Sequence, residues 1–223
     1  MSPVTRARAR TTARPTAVEK KHGRYHHGDL RRALLDAALD VLSREGAAAL
    51  TLREVARRAG VTHAAPYRHF TDKQALLATV AEEGFRMLAS RMSEAWAKRG
   101  GDPVRGLQAI GVAYAQFATG QRAHFQVMFG KDIDWTREHC GLEETADSCF
   151  GVLISAVQAC QGVGAIRAGD PLIPALCAWS MVHGLSELIA NGQFSAMDLA
   201  VPSVQELVGI FNRMFIEGAR AKE

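Results

Sequence analysis

Between residues 29 and 45 the apolar positions Leu30, Ala33, Leu34, Ala37, Ala38, Val41 and Leu42 recur at the spacing of one helical face, and Gly46 follows as a stop. The pattern predicts a helix over Asp29–Glu45. Thr51-Leu52-Arg53-Glu54 has the form of a capping box, where hydroxyl and carboxylate satisfy each other's free backbone N–H groups, and it predicts a second helix from Leu52 to about Ala59. Gly60 supplies a left-handed turn, Val61 points inward, and Thr62 caps a third short helix containing His63 to Phe70. Pro66 falls near that helix's first turn, where its missing N–H costs least. Thr71 or Asp72 caps a long helix through Ala75, Leu76, Val80, Phe85 and Leu88 toward Ala97. Asp102-Pro103, a cap followed by proline at the first helical position, starts another helix through Leu107, Ile110, Val112, Tyr114 and Phe117. A short helix fits Ala123 to Phe129, and long periodic stretches follow at about Glu143 to Gln161, Pro171 to Ala190 and Pro202 to Ala219. Strand alternation, hairpin signals and internal repeats are not found, so the expected fold class is all-α, a three-helix headpiece and a larger helical bundle.

The front of the chain reads differently. Residues 1–24 lack periodic apolar positions and are rich in Arg, Thr, Ala and Pro, which predicts a disordered basic arm. Residues 25–73 would form the headpiece and 74–223 the body. The overall charge of +4 is unevenly spread: residues 1–28 carry seven Lys/Arg against one Glu, a surplus of +6, residues 29–73 add +2, and residues 74–223 carry −4. A polyanion would meet the first third of the chain and be repelled by the rest.

Two short helices joined through Gly60, with the small residues Ala56 and Ala59 at the turn, match a helix-turn-helix, whose second helix enters the major groove of double-stranded DNA. Thr62, His63 and Ala65 would then face bases. Tyr67, Arg68 and His69 lie further along, where their donors reach phosphates, and Lys73 adds to that grip from the next helix start. Thr51 and Arg53 do the same from helix two, whose N-terminus favours a phosphate. Phe70 reads as headpiece core, and Tyr67 can serve both purposes. The small side chains of Ala64, Ala65 and Pro66 make direct base reading thin. The arm has two readings, a second grip through arginines in a minor groove or a solubilising tail.

Tyr25-His26-His27-Gly28-Asp29-Leu30-Arg31, the run Thr51 to Val61, and Tyr67-Arg68-His69-Phe70 with Lys73 together resemble the TetR/AcrR N-terminal domain over about residues 25 to 75. Met128-Phe129-Gly130 and Trp179 with His183-Gly184-Leu185 are similar to the C-terminal domain of the Trp-His-Gly (WHG) branch. The resemblance implies a homodimer, usually a repressor, on a near-palindromic DNA operator, with Pro171–Ala190 and Val204–Ala219 packing against their mates as four helices. Leu185, Leu188, Leu207, Ile210, Phe211, Met214 and Phe215 agree with that in part, since they give these helices more apolar surface than a solvent face needs.

Such a regulator is switched by a molecule that prefers one of its conformations. Trp96, Tyr114, Phe117, Phe125, Met128, Phe129, Phe150, Ile154, Trp179 and Met181 are candidates to line a cavity for a small apolar or aromatic effector, and equally fit an ordinary core. Gln108, Gln126, His124 and His183 are the polar candidates within it, with a hydrogen-bonded structural role as the alternative.

Rival functions have less support. Cys140, Cys149, Cys160 and Cys177 lack metal-ligand spacing and read as buried reduced thiols, which argues against a metal or redox sensor. His139 and Cys140 are adjacent and point about 100° apart on a helix, a poor chelate for a metal. The chain lacks a nucleophile elbow, phosphate loop or H-E-x-x-H spacing, so an enzyme is not expected, nor is a cofactor. A nonspecific architectural DNA-coating protein suits the arm but not the acidic body. Gln158, His183 and Glu187 interrupt the longest apolar runs, so no membrane span is expected, and a cytoplasmic, nucleoid-associated protein follows.

Overall fold

The computed structural model describes residues 30–137, 139, 141–198 and 200–220, and from Arg31 onward these belong to one compact unit. The arm over residues 1–24, with the Tyr25 to Asp29 part of the resemblance, lies outside the described residues. Among those described, nine α-helices and two short 3-10 turns account for all regular structure.

The first helix, α1 (Leu30–Glu45), buries Leu34, Leu35, Ala37, Ala38, Val41 and Leu42, the stripe read from spacing. A 3-10 turn at Ala47–Ala49 leads to α2 (Leu52–Ala59). Thr51 caps α2, its hydroxyl accepting from the Glu54 N–H at 3.1 Å. Only that half of the expected capping box forms. The Glu54 carboxylate turns instead to Arg57, at 2.6 and 2.8 Å, and to Arg58 at 3.0 Å, and its paired arginines, Arg57 foremost, hold its pKa down to about 2. Arg58 also reaches Asp40 and Glu45 of α1, so one guanidinium gathers three carboxylates and ties α2 to α1. Gly60 closes α2 in the left-handed region (φ 69°), its N–H returning to the Arg57 carbonyl while Val61 N–H returns to Ala56.

The third helix is where the structure departs from expectation. Instead of an α-helix over His63 to Phe70, the chain makes successive tight turns, of which Pro66–Arg68 is a 3-10 helix. Pro66 has no N–H to offer the Thr62 carbonyl, and that carbonyl accepts from Ala65 N–H at 3.0 Å, three residues on. The Thr62 side chain caps nothing here; Ala65 stands at the turn's start without a side-chain cap. Phe70 anchors the turns, 2% exposed, under the Arg31 guanidinium at 5.6 Å.

Asp72 then caps α3 (Lys73–Ala97), accepting from Ala75 N–H at 2.9 Å. This helix crosses the expected headpiece boundary at residue 73 without a break and packs against α4 (Pro103–Gly120), α5 (Arg122–Phe129) and α6 (Leu142–Gly162). Gly84 lets α5 approach: a Cβ there would stand 2.4 Å from Met128 Sδ and 3.2 Å from His124 Cβ. Gly84→Ala is therefore expected to lower stability by about 1–3 kcal/mol in urea unfolding, the range for an overpacked core.

A second core joins α4 to α7 (Leu172–Ala190) and α9 (Val204–Ala219) through Ala115, Leu185 and Val208, with the short α8 (Gln193–Ala196) packed on α7. Ser203 and Glu206 make the complete capping box of α9. The apolar run on α7 is longer than the positions of His183 and Glu187 implied. Helix α7 is long and apolar enough, by length and composition alone, to cross a membrane. His183 and Glu187 are too few to offset the Leu, Ile, Ala, Val, Met and Cys residues that make up most of its 19 positions. Leu172, Ile173, Leu176 and Leu188 are exposed on it, as is Met214 on α9. Cys177 is exposed too, against the expectation of four buried thiols; Cys149 and Cys160 are buried, and Cys140 lies outside the described residues.

Candidate nucleic-acid interface and effector cavity

The candidate DNA-facing side chains sit at the start of α2 and along the turns that follow it. Thr51, Arg53, Thr62, His63, Tyr67, Arg68 and His69 are exposed, while Ala65 and Lys73 are half-buried. Tyr67 is 61% exposed, so the phenol is not headpiece core. Among the described residues, hydrogen bonds and ion pairs leave the Arg53, Thr62, His63, Tyr67 and Arg68 side chains untied. Lys73 differs. Its ammonium donates to the Ala47 carbonyl at 2.6 Å, pinning the 3-10 turn before α2 to the start of α3. Two N–H groups of the ammonium are left for another acceptor.

In the body, a cavity of about 490 Å³ lies among α3, α4, α5, α6, α7 and α9. Tyr114, Met128, Phe129, Phe150, Trp179 and Met181 line it, as expected. Trp96, Gln108, Phe117, Phe125, Ile154 and His183 do not, and His124 and Gln126 are likewise absent from its wall. Trp96 turns to the α3–α4 corner, stacked under Arg99 at 4.2 Å and filling the space a Cβ on Gly106 would need. Gln108 faces a separate groove with Arg91, Glu94, Lys98, Arg99 and Arg105. Phe117 is fully buried beneath Arg91, at 5.5 Å. Phe125 stacks behind the wall on Phe129 at 5.1 Å. Spacing missed Phe85, Trp135, Asp147, Phe211, Asn212 and Phe215, which also line the cavity. The i, i+4 pair Phe211 and Phe215 was a usable signal, but it reads equally as a dimer face.

His183 supports the wall from behind. Trp179 Nε1 donates to the Tyr114 phenol oxygen at 3.2 Å, and that oxygen lies 2.8 Å from His183 Nδ1. With the indole already donating, the phenol proton points to Nδ1, and a neutral imidazole carries its own proton on Nε2. Burial favours this state: it lowers the His183 pKa against the opposing Glu187, and raises that of Tyr114. Burial also pushes the Cys149 thiol up to about 12 and Cys160 up to about 11, the opposite of a reactive thiolate.

A second buried histidine, His124 on α5, is 4% exposed, its Nε2 3.4 Å from Glu83 Oε1. That carboxylate is already held by both Arg32 contacts, at 2.8 and 2.9 Å. Burial lowers the His124 pKa despite Glu83. Both histidines resist protonation when folded, so below about pH 6.5 the unfolded chain takes up protons that the folded chain refuses. Thermal unfolding temperature is expected to fall as pH drops from 7.5 to 5. His183→Asn should flatten part of that slope.

A strap joins the two regions. After Phe129, the segment of residues 130–137 carries Gly130 and Trp135 on the cavity wall. From the same segment Arg137 pairs with Asp72, the α3 cap, at 2.9 Å. The Gln74 amide donates to the Asp132 carbonyl at 2.9 Å and accepts from Asp134 N–H at 3.0 Å. These contacts grip the first turn of α3, two residues past Phe70.

An exposed polar turn set on a helix-turn-helix scaffold, with an apolar cavity in an all-helical body, defines the class of helix-turn-helix transcription regulators. The chain matches "Bacterial regulatory proteins, tetR family" over residues 34–80 and "Tetracyclin repressor-like, C-terminal domain" over residues 107–211. It belongs to the TetR family. The HTH-type transcriptional regulator AcrR of Shigella flexneri is 36% identical over 98 residues, which are 44% of this chain and 42% of that protein's length. A solved structure of a protein with unknown function from a Rhodococcus species is 34% identical and superposes with a TM-score of 0.77, over 89% of this chain and all of the other. The TetR-family regulator PfmR from Thermus thermophilus shares the fold, with a TM-score of 0.66 at 17% identity over 84% of this chain and 99% of its own.

Proposed function

We propose that this TetR-family regulator is a homodimeric, sequence-specific repressor, released from a near-palindromic operator when a small apolar or aromatic effector fills the body cavity. Thr62 and His63 read base edges, with Ala65 against the groove floor. Thr51, Arg53, Tyr67, Arg68, His69 and Lys73 hold phosphates and set register. The exposed apolar face of α7, with Met214 of α9 beside it, meets its mate in the dimer. As an operator-bound protein it works in the cytoplasm.

The observation that carries this reading is the strap: the residues that wall the cavity at Trp135 also grip Asp72 and Gln74, next to the DNA-facing turns. An effector that shifts Trp135 moves the cap of α3. Arg137→Ala is expected to leave operator affinity within a few-fold but to blunt the effector's release of DNA, read as a smaller effector-induced change in operator affinity. An unchanged effector response would remove the strap from the mechanism.

The primary test is fluorescence anisotropy of the protein on its own upstream intergenic DNA and on a scrambled duplex across a salt series. Specific binding hundreds-fold or more above scrambled DNA supports a repressor at that site. Equal, steeply salt-dependent binding to both would favour a nonspecific coating protein.

A further inference from the structure

The chemistry of the cavity wall narrows what it accepts. Eight of the chain's 15 aromatic side chains line it, among them Phe129, Trp135, Phe150 and Trp179. Lys, Arg and His are absent from the described lining residues, and the one carboxylate there is Asp147. Asp147 lies one helical turn before Phe150 on α6, hence on the same face. Phe150 in turn meets the Trp179 ring edge to face, with centroids 5.9 Å apart.

An anionic ligand entering this wall would lose its hydration and find a carboxylate and the negative faces of π systems in exchange. A neutral apolar ligand would gain burial alone. A lipophilic cation gains burial, the ring faces and the carboxylate together. The Tyr114 phenol does not alter that balance, because its hydrogen bonds are committed to Trp179 and His183. A volume of about 490 Å³ suits a ligand of several rings or a branched alkyl body.

We propose that the cavity selects lipophilic organic cations, the ligand's charge held between the Asp147 carboxylate and the ring faces of Phe150 and Trp179. This rests on reading the cavity as the effector site, and deepens that reading by naming the ligand class.

Tetraphenylphosphonium and tetraphenylborate have nearly the same shape and opposite charge, so the pair isolates the sign of charge from apolar burial. Isothermal titration of the full chain is expected to show tetraphenylphosphonium binding at least tenfold more tightly than tetraphenylborate. Asp147→Asn, at an exposed position that can lose its charge without disturbing the core, should cut phosphonium affinity roughly tenfold and leave borate affinity unchanged or improved. Phe150→Leu, which keeps apolar bulk and removes the ring face, should weaken the phosphonium selectively. Equal binding of both probes, or an Asp147→Asn variant that keeps the wild-type preference, overturns the charge selectivity and leaves the effector cavity standing. Binding of neither probe overturns the cavity reading itself.

Discussion

Leu188→Glu is expected to turn the protein into a monomer in sedimentation and to weaken operator binding by roughly 10²–10⁴-fold, the gain that a second linked half-site contributes. The reason lies in how α7 spends its surface. Ala175, Leu185 and Ser186 face the chain's own core, while Ile173, Cys177, Ser180, Gly184 and Leu188 fall on one exposed stripe at steps of three and four residues. Ile173 is 62% exposed and Leu188 44%, and Met214 of α9 is 60% exposed, a poor arrangement for a surface left in water. Cys177, Ser180 and Gly184 are small, so two copies of the stripe can cross closely. Gly184 offers an independent variant. Among the described residues a Cβ there meets nothing within 4 Å, so Gly184→Leu should fold as well as the native protein while obstructing the mate. If both variants stay dimeric, another face joins the subunits; if Gly184→Leu alone stays dimeric, the helices cross away from residue 184.

The fold is largely legible in the sequence because its signals are local. Asp72, Thr51 and Asp102 cap the helices that spacing predicts, and Gly60 stops α2 in the left-handed turn its sequence implies. The third helix misleads because one proline outweighs the helical pattern around it: even near a first turn, the missing N–H and the ring of Pro66 tighten the whole segment. The cavity is half legible. Aromatic identity points to Tyr114, Phe150 and Trp179, but whether a large apolar residue lines a void or fills a core depends on which helices meet, and a single sequence does not contain that. Trp96 and Phe117 carry the same helical spacing as true lining residues and differ only in lying beneath Arg99 and Arg91. Asp147 gives no signal, because a carboxylate near the start of an amphipathic helix reads as solvent-facing. The strap is invisible to local patterns, since Arg137 and Asp72 lie 65 residues apart.

Within the proposed interface, two substitutions should separate sequence reading from backbone grip. Thr62 and His63 stand exposed where the chain leaves Gly60, with side chains that no internal bond holds among the described residues. Replacing both by alanine should flatten the ratio of operator to scrambled-DNA affinity. Each base contact contributes about 1–3 kcal/mol of discrimination, and a twofold dimer applies each loss twice, so the loss of even one of the two contacts should lower the ratio by roughly 30-fold or more. Arg68→Ala acts on phosphate instead. It should weaken both duplexes alike and reduce the slope of log affinity against log salt by about 2, one charge from each subunit. The neighbouring Lys73 is the wrong residue for this comparison: its bond to the Ala47 carbonyl makes Lys73→Ala a change in headpiece geometry as well as in charge. If the double alanine variant keeps its operator preference and Arg68→Ala loses it, the reading face lies further along the turn, toward Tyr67, and Arg68 contacts a base edge.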